Sequence, residues 1–148
     1  MRLQVNTMLA LYSVIEFAGD SQRHIPAAEI AEKYSVSPHH LAKVLAELAR
    51  AGIVESVRGV GGGYRFSANA RRLTLMDVIQ LFEDFAPMSQ RRDNGGPTPT
   101  DQALETVLSE IDEIAKATFS SITLATMLQL VSKQQQAAQN GALRKTGS

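Results

Sequence analysis

His39, His40 and Lys43 stand within two turns of one predicted helix, and Arg58 and Arg65 bracket a run in which four glycines fall within five residues. Imidazole, ammonium and guanidinium groups so placed can donate to base edges and phosphates, and Ser37 just ahead of them can accept from a backbone N–H. Small residues beside the cations, Ala42 and Ala46, would let such a helix sink into a groove. A metal reading of His39 and His40 fails on geometry: adjacent helical side chains diverge by about 100°, and no third ligand is near in sequence. A phosphate cradle at Gly59-Val60-Gly61-Gly62-Gly63 would need a helix after the glycines and a Gly-Lys-Ser/Thr step, and here a strand-like run follows. No Gly-x-Ser-x-Gly elbow occurs, and Glu83-Asp84 and Asp112-Glu113 read as solvated helix edges rather than acid and base pairs. With no cysteine in the chain, disulfides, a thiol nucleophile, a zinc finger and a cysteine-held iron–sulfur cluster are all excluded. The expectation is a binding protein and not an enzyme.

These residues need elements to position them, and most of the chain has helical period. Met8, Leu11, Tyr12, Ile15 and Ala18 predict a first helix with those residues on its buried face, ended by Gly19. Pro26 opens a short helix that buries Ile30 and Ala31 and closes near Tyr34. Ser37 as N-cap and Pro38 at the first helical position start the next one, with Leu41, Val44, Leu45 and Leu48 inward and Gly52 as its stop. Two helices joined by Ser35-Val36-Ser37 make a helix-turn-helix. The period then changes from 3.6 to 2: Ile53 to Val57 and Tyr64 to Ser67 alternate around the glycine run, which predicts a β-hairpin. Glycines there supply positive φ angles and let the backbone approach another surface. Hairpin and helix-turn-helix together predict a winged helix.

Thr74 and Asp77 form a capping-box pattern for a helix over 75–84, stopped by Pro87. Residues 87–100 hold three prolines, Pro87, Pro97 and Pro99, two glycines and Arg91-Arg92-Asp93 and predict a flexible loop. From Asp101 a long helix places Leu104, Val107, Leu108, Ile111 and Ile114 on one stripe, which predicts packing on its twin in a dimer; the alternative is packing inside one chain. A short helix from about Thr123 to Lys133 follows, and the Gln-rich tail over 134–148 is expected to be disordered. The domain expectation is a DNA-binding domain over 1–86, a loop over 87–100 and a dimerisation segment over 101–133.

The 148 residues carry no net charge, but residues 1–75 hold nine basic and six acidic side chains, net +3, and residues 76–148 hold six and nine, net −3. That asymmetry is compatible with double-stranded DNA as a partner of the front half. No apolar run approaches the roughly 20 residues of a membrane span and no signal-peptide layout is present, so the expected location is the cytoplasm.

Ile30-Ala31-Glu32, His40-Leu41-Ala42-Lys43-Val44, Ala51-Gly52-Ile53-Val54 and above all Arg58-Gly59-Val60-Gly61-Gly62-Gly63-Tyr64-Arg65-Phe66 resemble the Rrf-two family of bacterial winged-helix regulators. The likeness covers about residues 1 to 130. His40 to Val44 and Phe82 to Ala86 are most similar to its nitric-oxide-sensing repressors, of NsrR type. The resemblance implies a homodimer that binds operator DNA through Ser37, His39, His40, Lys43, Arg58, Gly61, Gly62, Gly63 and Arg65. Many family members hold an iron–sulfur cluster on three loop cysteines. Here those positions fall near Gln90, Gly96 and Gln102, and Met8 replaces the acidic residue that completes some clusters. No cofactor is therefore expected. The reading is a DNA-binding transcriptional regulator, a repressor with an unknown effector; the competing reading is an interaction module that kept the fold and lost DNA binding.

Overall fold

The computed structural model describes residues 2–59, 61–85 and 95–147. Within them the chain forms α1 (Val5–Gly19), α2 (Ala27–Lys33), α3 (Pro38–Arg50), the antiparallel hairpin β1 (Val54–Val57) and β2 (Gly63–Phe66), α4 (Leu75–Ile79), α5 (Pro99–Ser121) and α6 (Leu124–Thr146). Helix-turn-helix and hairpin adjoin, so the fold is a winged helix followed by two long helices.

α1 is the central helix. It buries Thr7, Leu9, Ala10, Ser13, Val14, Phe17 and Ala18. The predicted stripe is the buried face only in part: Ala18 is buried, whereas Met8, Leu11 and Ile15 are half-buried and Tyr12 is exposed. α1 is apolar nearly all round, so its periodicity points to two faces, and the core selects the one whose small polar residues, Thr7 and Ser13, both find hydrogen-bond acceptors. Ser13, for instance, donates to the Leu9 carbonyl at 2.7 Å.

α3 forms as its sequence requires. The Ser37 hydroxyl accepts from the His40 N–H, Pro38 occupies the first turn, and Leu41, Val44, Leu45 and Leu48 are all buried. Gly52, at φ 77°, turns the chain out of the helix. In the hairpin Val54 faces Phe66 and Glu55 faces Arg65. A further bridge ties β2 to the segment before α2, with Ile25 N donating to the Tyr64 carbonyl at 2.8 Å and Tyr64 N to the Ile25 carbonyl at 2.9 Å.

Three boundaries differ from expectation. α4 has its Thr74 and Asp77 capping box but ends at Ile79, not Asp84. Its continuation tightens into turns because Glu83 turns back to α1, accepting from Gln4 N and from the Thr7 hydroxyl, each at 2.7 Å. α5 starts at Pro99, two residues early, on a Thr98 and Asp101 capping box. The expected loop over 87–100 otherwise lies largely outside the described residues. α6 runs on to Thr146, through the stretch expected to be disordered. Gln, Ala, Leu, Arg and Lys are good helix formers, and Arg144 and Lys145 suit the negative end of the helix dipole.

The α5 to α6 turn is stitched to the body. Thr74 bridges Thr123, Leu75 N donates to the Ile122 carbonyl, and Leu124 N donates to the Leu73 carbonyl, both at 2.9 Å. Leu124 is buried beneath this junction.

Candidate nucleic-acid interface

Burial of Leu41, Leu45 and Leu48 turns the other side of α3 outward, where His39, Ala42, Lys43 and Ala46 are all exposed. Neither His39 nor Lys43 has a hydrogen-bond or ion-pair partner among the described residues. Their donors are free to meet a ligand. His40 is different: its Nε2 donates to Asn6 Oδ1 at 2.5 Å, so the ring braces the start of α3 against the first turn of α1. Ser37 is likewise occupied by the backbone of α3, although its residue is exposed.

The hairpin adjoins α3 through a backbone bond from Ile53 N to the Leu48 carbonyl at 3.1 Å. Arg58 leaves β1 exposed and forms no ion pair among the described residues. Arg65 is held by the carboxylate of Glu55, its cross-strand neighbour. A guanidinium so held keeps donors to spare, but a phosphate must share it.

The three glycines of the expected site do different work. A Cβ at Gly61, at φ 77°, would meet nothing within 4 Å, so this residue alone of the three faces open space. At Gly62 a Cβ would lie 2.4 Å from the Val57 carbonyl oxygen, and at Gly63 it would lie 2.6 Å from Ile25 carbonyl atoms. The close approach expected of these two glycines is to their own chain and not to an outside surface.

A second brace supports the helix-turn-helix from behind. Lys33 Nζ and the Tyr34 hydroxyl both donate to Glu16 Oε1 at 2.5 Å, and the Tyr34 ring stacks on Tyr12 with centroids 4.5 Å apart. Burial pushes the Glu16 carboxyl up, but the hydrogen bonds from Lys33 and Tyr34 and the Lys33 charge together outweigh it and lower its pKa. Burial, the bond to Glu16 and the Glu16 charge raise the Tyr34 phenol, which remains a donor at neutral pH.

Sequence reasoning missed Asn6, Glu55, Glu83 and Ile25. Glu55 was readable in principle, because a hairpin turning over 58–62 sets it opposite Arg65. The contacts of Asn6 and Glu83 join residues 34 and 76 or more positions apart, and no local pattern announces them.

A helix-turn-helix with a hairpin beside it and outward donors on its second helix is the architecture of winged-helix DNA-binding regulators. The profile of the Rrf2 (Rrf-two) family, described as iron-dependent transcriptional regulators, matches residues 3–130, and the chain belongs to that family. It is 44% identical over 141 residues to the HTH-type transcriptional regulator BadM of Rhodopseudomonas palustris, covering 95% of this chain and 90% of that protein. The regulator IscR of Vibrio campbellii is 34% identical over 85 residues, 57% of this chain and 51% of that protein. Among solved structures, T. potens IscR superposes with a TM-score of 0.73 at 23% identity, covering 91% of each chain. CymR of Staphylococcus aureus gives 0.70 at 24% identity, covering 86% of this chain and 96% of that one. At such identities these two show the shared fold. The chain is a DNA-binding transcriptional regulator, and its relatives are regulators rather than enzymes.

Proposed function

We propose that the protein is a homodimeric transcriptional repressor of the cytoplasm, in which two copies place α3 in successive major grooves of an operator. Residues 1–86 form the DNA-binding domain and 101–133 the dimerisation segment. The observation that carries the dimer is the outer face of α5. Leu104, Val107, Leu108, Ile111 and Ile114 are 50%, 58%, 40%, 52% and 68% exposed, so the described residues leave this stripe uncovered. Soluble chains rarely leave such a ridge open, and a two-fold axis covers it with its own copy. The recognition helices would then meet half-sites about 34 Å apart.

His39 and Lys43 are the base-reading residues in this proposal, Arg58 and the Gly61 backbone contact phosphate, and Arg65 reaches phosphate while sharing Glu55. Ser37, His40, Gly62 and Gly63 serve by holding these in place. Occupying the operator is sufficient for repression, and no further machinery is needed for it.

The family is described as iron-dependent, and the residues present do not fit an iron–sulfur cluster. The chain has no thiolate, the positions the resemblance implies for the ligands fall near Gln90, Gly96 and Gln102, and no group of three His, Asp or Glu converges among the described residues. Amides and glycine do not replace thiolate ligands. The likeness to nitric-oxide-sensing repressors is accordingly kept for the DNA-binding half, and the regulator acts without that cluster.

Fluorescence polarisation with its own promoter DNA, at several salt concentrations, tests the reading. Specific binding that weakens steeply with salt is expected. Weak binding indifferent to sequence would instead identify an interaction module that has lost DNA recognition.

A further inference from the structure

We propose that the cavity between α1, α2 and α6 binds a small organic ammonium, an amine head carrying a short apolar chain, and that its occupancy weakens operator binding. The site needs only one copy of the chain, so it stands apart from the dimer reading, and only its effect on the operator rests on DNA binding. The cavity holds about 410 Å³, within the range of small-molecule sites. Part of its wall is apolar, made by buried Ile25 and by the half-buried Ile15, Leu128 and Val131. A ligand with no apolar part would leave that wall wet.

The charges at the rim decide the sign of the head. Glu16, in the last turn of α1, and Asp20, at its C-cap, are four residues apart and both line the cavity. Lys33 Nζ and the Tyr34 hydroxyl both donate to Glu16 Oε1 at 2.5 Å, and no bond among the described residues goes to Oε2. The Asp20 carboxylate likewise has no hydrogen bond or ion pair among the described residues. The two cations of the rim are already engaged: Lys33 holds Glu16, and Arg23, which acts on Asp20 through space, donates from Nη2 to both Glu29 oxygens at 2.7 Å. No basic residue stands in the last turn of α1, so the negative end of the helix dipole adds to the same potential. An anion would meet cations that already hold carboxylates. A cation meets carboxylate oxygens that hold nothing.

An ammonium has three donors. Glu16 Oε2 and the Asp20 carboxylate take two, and Ser132 or Gln135, polar residues that α6 contributes to the cavity, takes the third. Its chain then lies on Ile15, Leu128 and Val131. Glu16 is also the acceptor that braces α2 through Lys33 and Tyr34. A second cation on that carboxylate shares its charge and weakens the brace, and α2 is the first helix of the helix-turn-helix. A ligand bound better by the loosened state shifts the chain away from the one that holds DNA.

The test uses full-length protein, hexylammonium chloride as the probe and two-dimensional NMR of the backbone amides. Saturable shifts at Gly19, Asp20, Ser132 and Gln135 are expected, with half-saturation at about millimolar concentration. Asp20→Asn, a change at an exposed residue that leaves the apolar wall intact, should weaken binding about tenfold. Val131→Trp should abolish it by filling the cavity, and hexanoate, of the same length and opposite charge, should give no saturable shift there. At saturation, hexylammonium should weaken operator binding about fivefold relative to equal ammonium chloride, and Asp20→Asn should remove that difference. Absence of saturable shifts, shifts spread over the carboxylates of α5, or hexanoate bound as tightly as the amine would overturn the site. A saturated site with unchanged operator affinity would overturn its regulatory effect. A wild type that binds no operator would strike the DNA-binding reading instead, and the amide shifts would decide the site by themselves.

Discussion

Gly63→Ala should be far more damaging than Gly61→Ala, although both change a glycine in the same hairpin tip. At Gly63 the new Cβ would lie 2.6 Å from the carbonyl carbon and oxygen of Ile25 and 2.8 Å from the nitrogen of Pro26, all rigid backbone. Relief requires β2 to back away from Ile25, which breaks the paired bonds between Ile25 and Tyr64 at 2.8 and 2.9 Å. Two such bonds contribute about 1 kcal/mol each, and overpacking against backbone adds a further ~1–2 kcal/mol, so the expected loss is about 3–4 kcal/mol. At Gly61 nothing lies within 4 Å, and only the φ of 77° resists a side chain, at a cost of about 1 kcal/mol. Urea denaturation of both variants reads the difference directly. Operator binding should follow the same order, because Gly63 seats the hairpin on the body and Gly61 does not. A Gly63→Ala variant within about 0.5 kcal/mol of wild type, or one more stable than Gly61→Ala, would refute the assignment of Gly63 to internal packing.

Ile111→Asp should yield a monomer in analytical ultracentrifugation and lose operator binding, since two unpartnered carboxylates would face each other in an apolar seam; a dimer of wild-type strength would refute the α5 interface. Arg58→Ala should weaken binding to all operators and reduce the salt slope by roughly one for the phosphate lost, whereas Lys43→Ala and His39→Ala should change which sequences are preferred in a selection experiment. Glu16→Gln should flatten the acid limb of stability: a carboxyl with a lowered folded pKa contributes stability above its unfolded value, and that is lost as pH falls through the folded one. Denaturation at stepped pH below neutrality checks the sign. Protein purified without oxygen should be colourless and free of stoichiometric iron, and a stable visible absorbance with bound iron would contradict the ligand argument.

The parts legible in the sequence are those that local chemistry decides. α3 could be read because its cap, its proline and its apolar spacing lie within a dozen residues of one another and agree. The hairpin was legible because its change of period and its glycines coincide. α1 misled because Leu9, Ala10, Val14 and Phe17 offer as good a stripe as Met8, Leu11, Tyr12 and Ile15, and only the packing of other elements chooses between them. The end of α4 depends on Glu83 reaching α1, and the role of His40 depends on Asn6; both are settled by the fold and not by the neighbours in sequence. Gly62 and Gly63 are places of close approach, but the approaching surface is their own chain and not the outside surface that the glycine run suggests.

A chain with no net charge can still concentrate positive potential where DNA would lie, and its ion pairs show how. Of nine cations in residues 1–75, Arg23, Lys33, Arg50 and Arg65 are paired with Glu29, Glu16, Glu47 and Glu55. Four of the six acids are consumed with them, leaving Asp20 and Glu32 against Arg2, Lys43, Arg58, Arg71 and Arg72, which have no ion pair among the described residues. Net charge is unchanged by the pairing, yet the cations that remain free include the outward one of α3 and the one at the hairpin tip. Phosphates can engage these without first displacing a carboxylate, whereas contact with Arg65 must compete with Glu55. Removal of Glu55 would therefore strengthen binding, and removal of Arg65 would leave a bare carboxylate facing the DNA, so the two halves of one surface ion pair should act in opposite directions on affinity.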